Sequence, residues 1–249
     1  MSVRHLHRIE WHPSRGEVDR GRWPFDIPAV GQLIDDGGWD VPAGVTFLVG
    51  ENGSGKSTLV EAFAAVYPRR GVENPFAPSA GARPQEEDSP LRWNLRAVTD
   101  PMASPAGFFL RSETLRQHLV AADRSPSAGR VYGEGKLVAR SHGEAVLTLL
   151  RTHFTEPGVY FLDEPEAALS FTSTLGLVAV LDDLAQAGCQ VIAATHSPLL
   201  TALPSASLLE VGEWGMRETS WEELELVSSW RCYLTDPQSY LRHLLPQRG

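Results

Sequence analysis

The sequence predicts an α/β fold, a mostly parallel sheet flanked by helices, on three observations. Short apolar runs alternate along the chain with stretches of helical periodicity. A glycine-rich loop stands between the first of these runs and a helix, and two later runs break off into polar residues suited to chemistry. Strands that alternate with helices build a parallel sheet with helices on its faces. With 249 residues, 42 % hydrophobic and 21 % charged, the chain is read as a single domain, 1–249, able to bury a core of its own.

The elements follow in order. Residues 45–49 (Val-Thr-Phe-Leu-Val) are apolar and β-rich and predict a short buried strand. Residues 57–67 predict a helix, with Leu59, Phe63 and Val66 on one face and Pro68 as its stop. From 68 to 107 proline, glycine, serine and charge predominate, and an irregular insertion is expected. Residues 107–110 read as a second strand, 112–123 as a helix, and 124–136, rich in glycine and serine, as a loop. Val146, Leu149, Leu150 and Phe154 recur at helical spacing over 144–155. Residues 159–162 predict a strand, 172–187 a helix ended by Gly188, and 191–194 another strand. Residues 68–155 are grouped as an insertion plus a small helical subdomain, and 215–249 as a C-terminal helical segment.

Composition bounds the function classes. A net charge of −9, with two lysines (Lys56 and Lys136) beside twenty arginines, argues against a surface devoted to neutralising nucleic-acid phosphates. No apolar run approaches the roughly 18 to 20 residues that crossing a bilayer takes, so no membrane insertion is expected. The cationic start, Met1 to Arg8, has no apolar segment behind it; no secretory signal is read there, and a cytoplasmic location is expected. Cys189 and Cys232 are too few for a disulfide framework or a four-cysteine zinc site and are read as packing residues.

The chemistry-bearing stretch is Gly50-Glu-Asn-Gly-Ser-Gly55-Lys56-Ser57, which fits the phosphate-binding pattern G-x-x-x-x-G-K-[ST] between a strand and a helix. Glycines 50, 53 and 55 let the backbone curl so that successive N–H groups point at phosphate oxygens. The helix behind them adds the positive end of its dipole. Lys56 places a charge on the β- and γ-phosphates, and the Ser57 hydroxyl is the expected Mg²⁺ ligand. The binding set expected for ATP in the chain is Gly50, Asn52, Gly53, Ser54, Gly55, Lys56, Ser57 and Thr58. Taken alone, the stretch would be a glycine-rich turn capping an ordinary helix, and its flanks favour the phosphate loop. Strand 159–162 runs into Asp163-Glu164-Pro165-Glu166, two carboxylates at a strand tip, where open parallel sheets bind ligands. Asp163 is the expected metal residue through water, and Glu164 the group that polarises the attacking water. Strand 191–194 ends in Thr195-His196-Ser197-Pro198, which brings His196 to the same edge, as γ-phosphate sensor or as a structural hydrogen-bonding residue. Lys56, Glu164 and His196 are thus the catalytic candidates, and Ser57 and Asp163 the metal candidates.

In this order the loop 50–57, the acidic tip 159–164 and His196 resemble the Walker A, Walker B and switch elements of the ATP-binding-cassette and SMC-like ATPases. The resemblance implies a P-loop fold of the ABC-ATPase type with an N-terminal β region, and ATP and Mg²⁺ as cofactors. It also implies a head-to-tail homodimer with two ATP molecules sandwiched between protomers. In that family a signature motif opens a helix ahead of Walker B; here Arg140-Ser141-His142-Gly143-Glu144 takes its place, with Ser141 and Gly143 matching and His142 and Glu144 departing. Ser141-x-x-Glu144 is also a capping box, and both roles are compatible. Ala167-Ala168-Leu169-Ser170 stands where the family's D-loop lies, with serine for its usual last aspartate. The glutamine expected after strand 107–110 is replaced by Arg111-Ser112-Glu113, leaving Glu113 or Gln117 as coupling residue, and Trp23 or Phe25 as adenine-stacking aromatic. The whole pattern is similar to a group of small bacterial predicted ATPases labelled AAA-family or ABC-type.

Three functions are weighed: a soluble SMC-like ATPase switch read by a separate effector protein or nucleic acid, the nucleotide-binding subunit of a membrane transporter, and a small-molecule P-loop kinase. Glu166, where transporters usually carry threonine, and the degenerate signature favour the first over the second. Glu164 and His196 are unexplained by the third.

Overall fold

The computed structural model describes residues 4–13, 16–67, 90–104, 106–112, 119–120, 123–124, 137–139, 141–153, 156–167 and 169–244. In chain order the elements are β1 (Leu6–Trp11), α1 (Pro28–Asp35), β2 (Gly38–Asp40), β3 (Val45–Val49), α2 (Lys56–Val66), β4 (Leu95–Thr99) and β5 (Gly107–Arg111). They continue with α3 (His142–His153), β6 (Val159–Asp163), α4 (Phe171–Gln186), β7 (Gln190–Thr195), β8 (Ser207–Gly212), β9 (Gly215–Thr219), α5 (Glu225–Thr235) and α6 (Pro237–Leu244).

Six strands form the central sheet in the order β5-β6-β7-β3-β8-β9, all parallel except the last, which returns antiparallel on β8. The mostly parallel sheet expected from the sequence is present. Apart from Thr46 in β3, the interiors of its middle strands are apolar because both faces are covered. Phe47, Tyr160, Leu162, Val191 and Ala193 face a core cluster with Val146, Leu149 and Leu150 of α3 and Leu177 and Leu181 of α4. The alternate residues Leu48, Phe161, Ile192 and Ala194 face a second cluster with Val30 and Leu33 of α1 and Leu59 and Phe63 of α2. The period of two along each strand assigns every neighbouring pair to opposite cores.

A separate antiparallel sheet, β2-β1-β4, is the N-terminal β region. Its outer strand β4 corrects the expectation of a wholly irregular stretch from 68 to 107. Leu95–Thr99 pairs with β1, some eighty residues earlier, and this long-range pairing overrides a composition that suggests loop. Gln190 ties the two sheets together: fully buried, it accepts from Leu6 N (2.8 Å) and donates to Leu6 O (2.9 Å) and Pro42 O (2.8 Å). A buried amide is tolerated where its groups are met in this way.

Two further expectations are corrected. Residues 215–219 are strand β9, not part of a helical C-terminal segment; the helices there begin at Glu225. Cys189 is buried as expected of a packing residue, but Cys232 lies exposed on α5. The helix expected over 112–123 and the loop over 124–136 fall for the most part outside the described residues. Among the described residues no helix is long and apolar enough to cross a membrane.

Candidate functional site

The parallel strands deliver their C-terminal tips to one edge. Register sets Val49 beside Thr195 and Glu210, Asp163 beside Ala194, and Arg111 beside Asp163. From Val49 the chain enters the glycine loop and then α2. A Cβ on Gly50 would collide with the Val211 carbonyl oxygen, so the backbone there runs closer to β8 than any other residue permits. Gly55 caps α2 in the left-handed conformation (φ 97°), and a Cβ on it would meet Ile27 Cγ2 at 2.5 Å. The N-terminus of α2 has no side-chain cap and no acidic residue in its first turn. Its leading amides and dipole are suited to an anion from outside the helix.

Lys56 is 3 % exposed and folds back over the loop, its Nζ donating to Glu51 O (2.7 Å) with Ser54 Oγ 3.4 Å away. Burial pulls its pKa below the ordinary lysine value, and the carboxylates of Glu164, Asp163, Glu166 and Glu51 pull it back up. An ammonium is thus held dry, among acids, at the mouth of a helix.

Opposite it, Ser57, Arg111, Ser112, Asp163 and Glu164 line a cavity of about 280 Å³. Glu164 has φ 49°, the single positive φ among the described non-glycine residues. Its N–H donates to Ala194 O (3.0 Å), while Ser112 Oγ donates to Asp163 O (3.0 Å) and to Glu164 O. The side chain turns toward β7, where Glu164 Oε1 lies 3.0 Å from His196 Nε2, at angles outside those of a hydrogen bond. Glu166 fixes the other side of that histidine: Oε1 accepts from Thr195 Oγ1 (2.5 Å) and His196 N (2.8 Å). Burial raises the Glu166 pKa above the carboxylate range, against the lowering by these donors.

The structure therefore brings Lys56, Ser57, Asp163, Glu164 and His196 to one edge. Gly50, Asn52, Gly53 and Ser54 line a second, larger cavity of about 570 Å³ that also touches His196, Trp214 and Trp230. Thr58 follows Ser57 on α2. Ser141 and Gly143 stand apart on the start of α3 and line neither cavity. There Ser141 and Glu144 cap each other: Ser141 Oγ donates to Glu144 Oε2 (2.7 Å) and Glu144 N to Ser141 Oγ (3.3 Å). A Cβ on Gly143 would strike Ser173 of α4, which fixes how closely α3 packs. Phe25 packs edge-on against Trp11 at 6.3 Å, whereas Trp23 is exposed. Glu113 and Gln117 lie outside the described residues.

A hydroxyl (Ser57) and a carboxylate (Asp163) facing one cavity, with phosphate oxygens and water to complete the shell, are the donor set Mg²⁺ takes. The residues present fit the metal. Sequence reasoning passed over Arg111, Ser112 and Glu166 as working parts. Arg111 was visible only as a departure where glutamine was expected, and its place opposite Asp163 is a fact of register.

A glycine loop feeding an uncapped helix, beside an acidic strand tip and a histidine on the next strand, is the arrangement of a P-loop nucleotide site, similar to that of ABC/AAA-type ATPases. Comparison with known proteins agrees. Residues 144–202 match the family model described as "AAA domain, putative AbiEii toxin, Type IV TA system". The chain is 26 % identical over 208 residues to the "Putative ribose/galactose/methyl galactoside import ATP-binding protein 1" of Burkholderia lata, covering 68 % of this chain. It spans 36 % of that relative, little more than a third of its length. Among solved structures it is similar to "An inward-facing conformation of a putative metal-chelate type ABC transporter" (TM-score 0.52, 13 % identity, 94 % of this chain and 90 % of that one). It is also similar to "Structure of a bacterial Atm1-family ABC exporter with ATP bound" (TM-score 0.51, 14 % identity, 93 % and 43 %). At such identities the likeness establishes the fold alone.

Proposed function

We propose that the chain is a soluble ABC/SMC-like ATPase that binds and hydrolyses Mg-ATP in a nucleotide-sandwich homodimer and passes the motion to a separate partner, protein or nucleic acid. The observation that carries this is the convergence of Lys56, Ser57, Asp163, Glu164 and His196 on one sheet edge. The loop amides and Lys56 grip the β- and γ-phosphates, where a buried ammonium is worth more than in water. Mg²⁺, held by Ser57 and through water by Asp163, would neutralise charge on the phosphate oxygens. Glu164 orients a water and takes its proton as the water oxygen bonds to the γ-phosphorus. The bond to the bridging oxygen then breaks and ADP leaves. His196, fixed by Glu166, stands beside Glu164 to meet the γ-phosphate. Ser141 and the start of α3 would complete the site from the second protomer.

Size-exclusion chromatography of Glu164→Gln with Mg-ATP tests this: a dimer forms with ATP and not with ADP. A monomer at every concentration sinks the composite site. A second reading, the nucleotide-binding subunit of a membrane transporter, is favoured by the names of the curated relative and both solved structures. Co-purification with a membrane permease, rather than with a soluble partner, would select it.

A further inference from the structure

Arg111 is the one element of the acidic cavity that the roles above leave without work. It ends β5, directly opposite Asp163 in the register. Its Nη2 lies 2.6 Å from Glu61 Oε2 and its Nε 3.8 Å from Asp163 Oδ2. Glu61 sits four residues after Ser57 on α2, hence on the same helix face one turn along. The guanidinium is thus strung between the helix that offers the metal hydroxyl and the strand that offers the metal carboxylate. It forms a wall of the cavity that Ser57 and Glu164 share. A bridge of this kind holds a planar, permanently charged group in a fixed orientation.

We propose that Arg111 is an intrachain phosphate-binding cation: with nucleotide bound it contacts the γ-phosphate, and Glu61 is its positioning partner. The inference rests on the nucleotide site proposed above. Lys56 holds the triphosphate from the loop side, and Arg111 stands on the acidic side, where charge builds up on the γ-phosphoryl oxygens as the terminal bond breaks. A guanidinium can contribute a charge there that the amide of a glutamine cannot. Arg111 therefore discriminates between ATP and ADP, because it touches the phosphate that ADP lacks.

The test is equilibrium binding of fluorescent ATP and ADP analogues, with Mg²⁺, in a Glu164→Gln background that does not turn over. Arg111→Gln is expected to weaken ATP binding about 10- to 100-fold while ADP binding stays within about twofold. Arg111→Lys is expected to recover only part of the loss, since a lysine cannot span both acids. Equal ATP and ADP affinities relative to the parent, at an unchanged melting temperature, would overturn the proposal and leave Arg111 as a structural counter-charge to Asp163. Should Arg111→Gln melt lower, Glu61→Gln decides: a reduced ATP-to-ADP ratio supports the role and an unchanged ratio overturns it. Failure of the parent protein to bind either nucleotide would instead sink the nucleotide site itself, and this inference with it.

Discussion

Two helix starts in this molecule obey the same electrostatics and end in opposite states. The start of α2 carries no side-chain cap and no acid in its first turn, and a buried lysine lies across it. The start of α3 is exposed and closed on itself, Ser141 and Glu144 satisfying one another's polar groups. A helix N-terminus attracts negative charge wherever it stands. α2 has been left open for an anion from outside, whereas α3 supplies its own carboxylate. If the second start receives a phosphate from a partner protomer, the incoming group has to displace or share with Glu144. In the composite site proposed above, one half would be ready in the single chain and the other held shut by a local pair.

The largest effect that would break this contrast is at the open start. Lys56→Ala removes the ammonium and is expected to cost about 100-fold or more in ATP affinity, read by calorimetry, with hydrolysis lost. At the closed start, effects should be confined to the assembly. Ser141→Arg is expected to lower hydrolysis about 100-fold while single-site nucleotide affinity stays within about twofold. Glu144→Gln, which weakens the competing carboxylate, is expected to shift the ATP-dependent monomer–dimer midpoint toward lower protein concentration by sedimentation. Equal effects of Ser141→Arg on monomer binding and on hydrolysis would erase the distinction between the two starts.

The smallest effect concerns Glu166, the buried acid behind His196. Its folded-state pKa lies above the ordinary 4.5, so the native state holds the proton more tightly than the unfolded chain. Its contribution to stability is complete below that ordinary value and is lost as pH rises through the folded one. Urea unfolding at pH 5 and pH 7.5 is expected to show the native chain gaining on Glu166→Gln at the lower pH. A difference independent of pH would mean the carboxyl titrates as it does in the unfolded chain.

Strands β3, β6 and β7 were legible because they are buried on both faces, which leaves mostly apolar runs ended by glycine, acid or threonine. Val45–Val49 carries the same limits in sequence and structure, Val159–Asp163 runs one residue further at its end, and Gln190–Thr195 one residue further at each end. Two half-exposed strands were not legible, although β5, also half-exposed, was. Leu95–Thr99 alternates weakly and takes its partner from the far N-terminus, and Gly215–Thr219 follows a turn at Glu213 and Trp214 that lacks the usual hairpin dipeptides. At the site, the loop and the acidic tip follow from spacing. The link from Glu166 to Thr195 and the bridge from Glu61 through Arg111 to Asp163 depend on which strands are neighbours, and periodicity does not report strand order.

The left-handed backbone at Glu164 narrows what substitution can do there. Asparagine, aspartate and glycine enter that conformation more easily than glutamate does, yet their shorter side chains would stop short of the histidine. A chain that keeps the longer acid at such a corner has given up some local comfort for reach. Anyone grafting this acid onto another sheet would therefore need to carry over the corner, with the serine that laces its two carbonyls, and not the carboxylate alone.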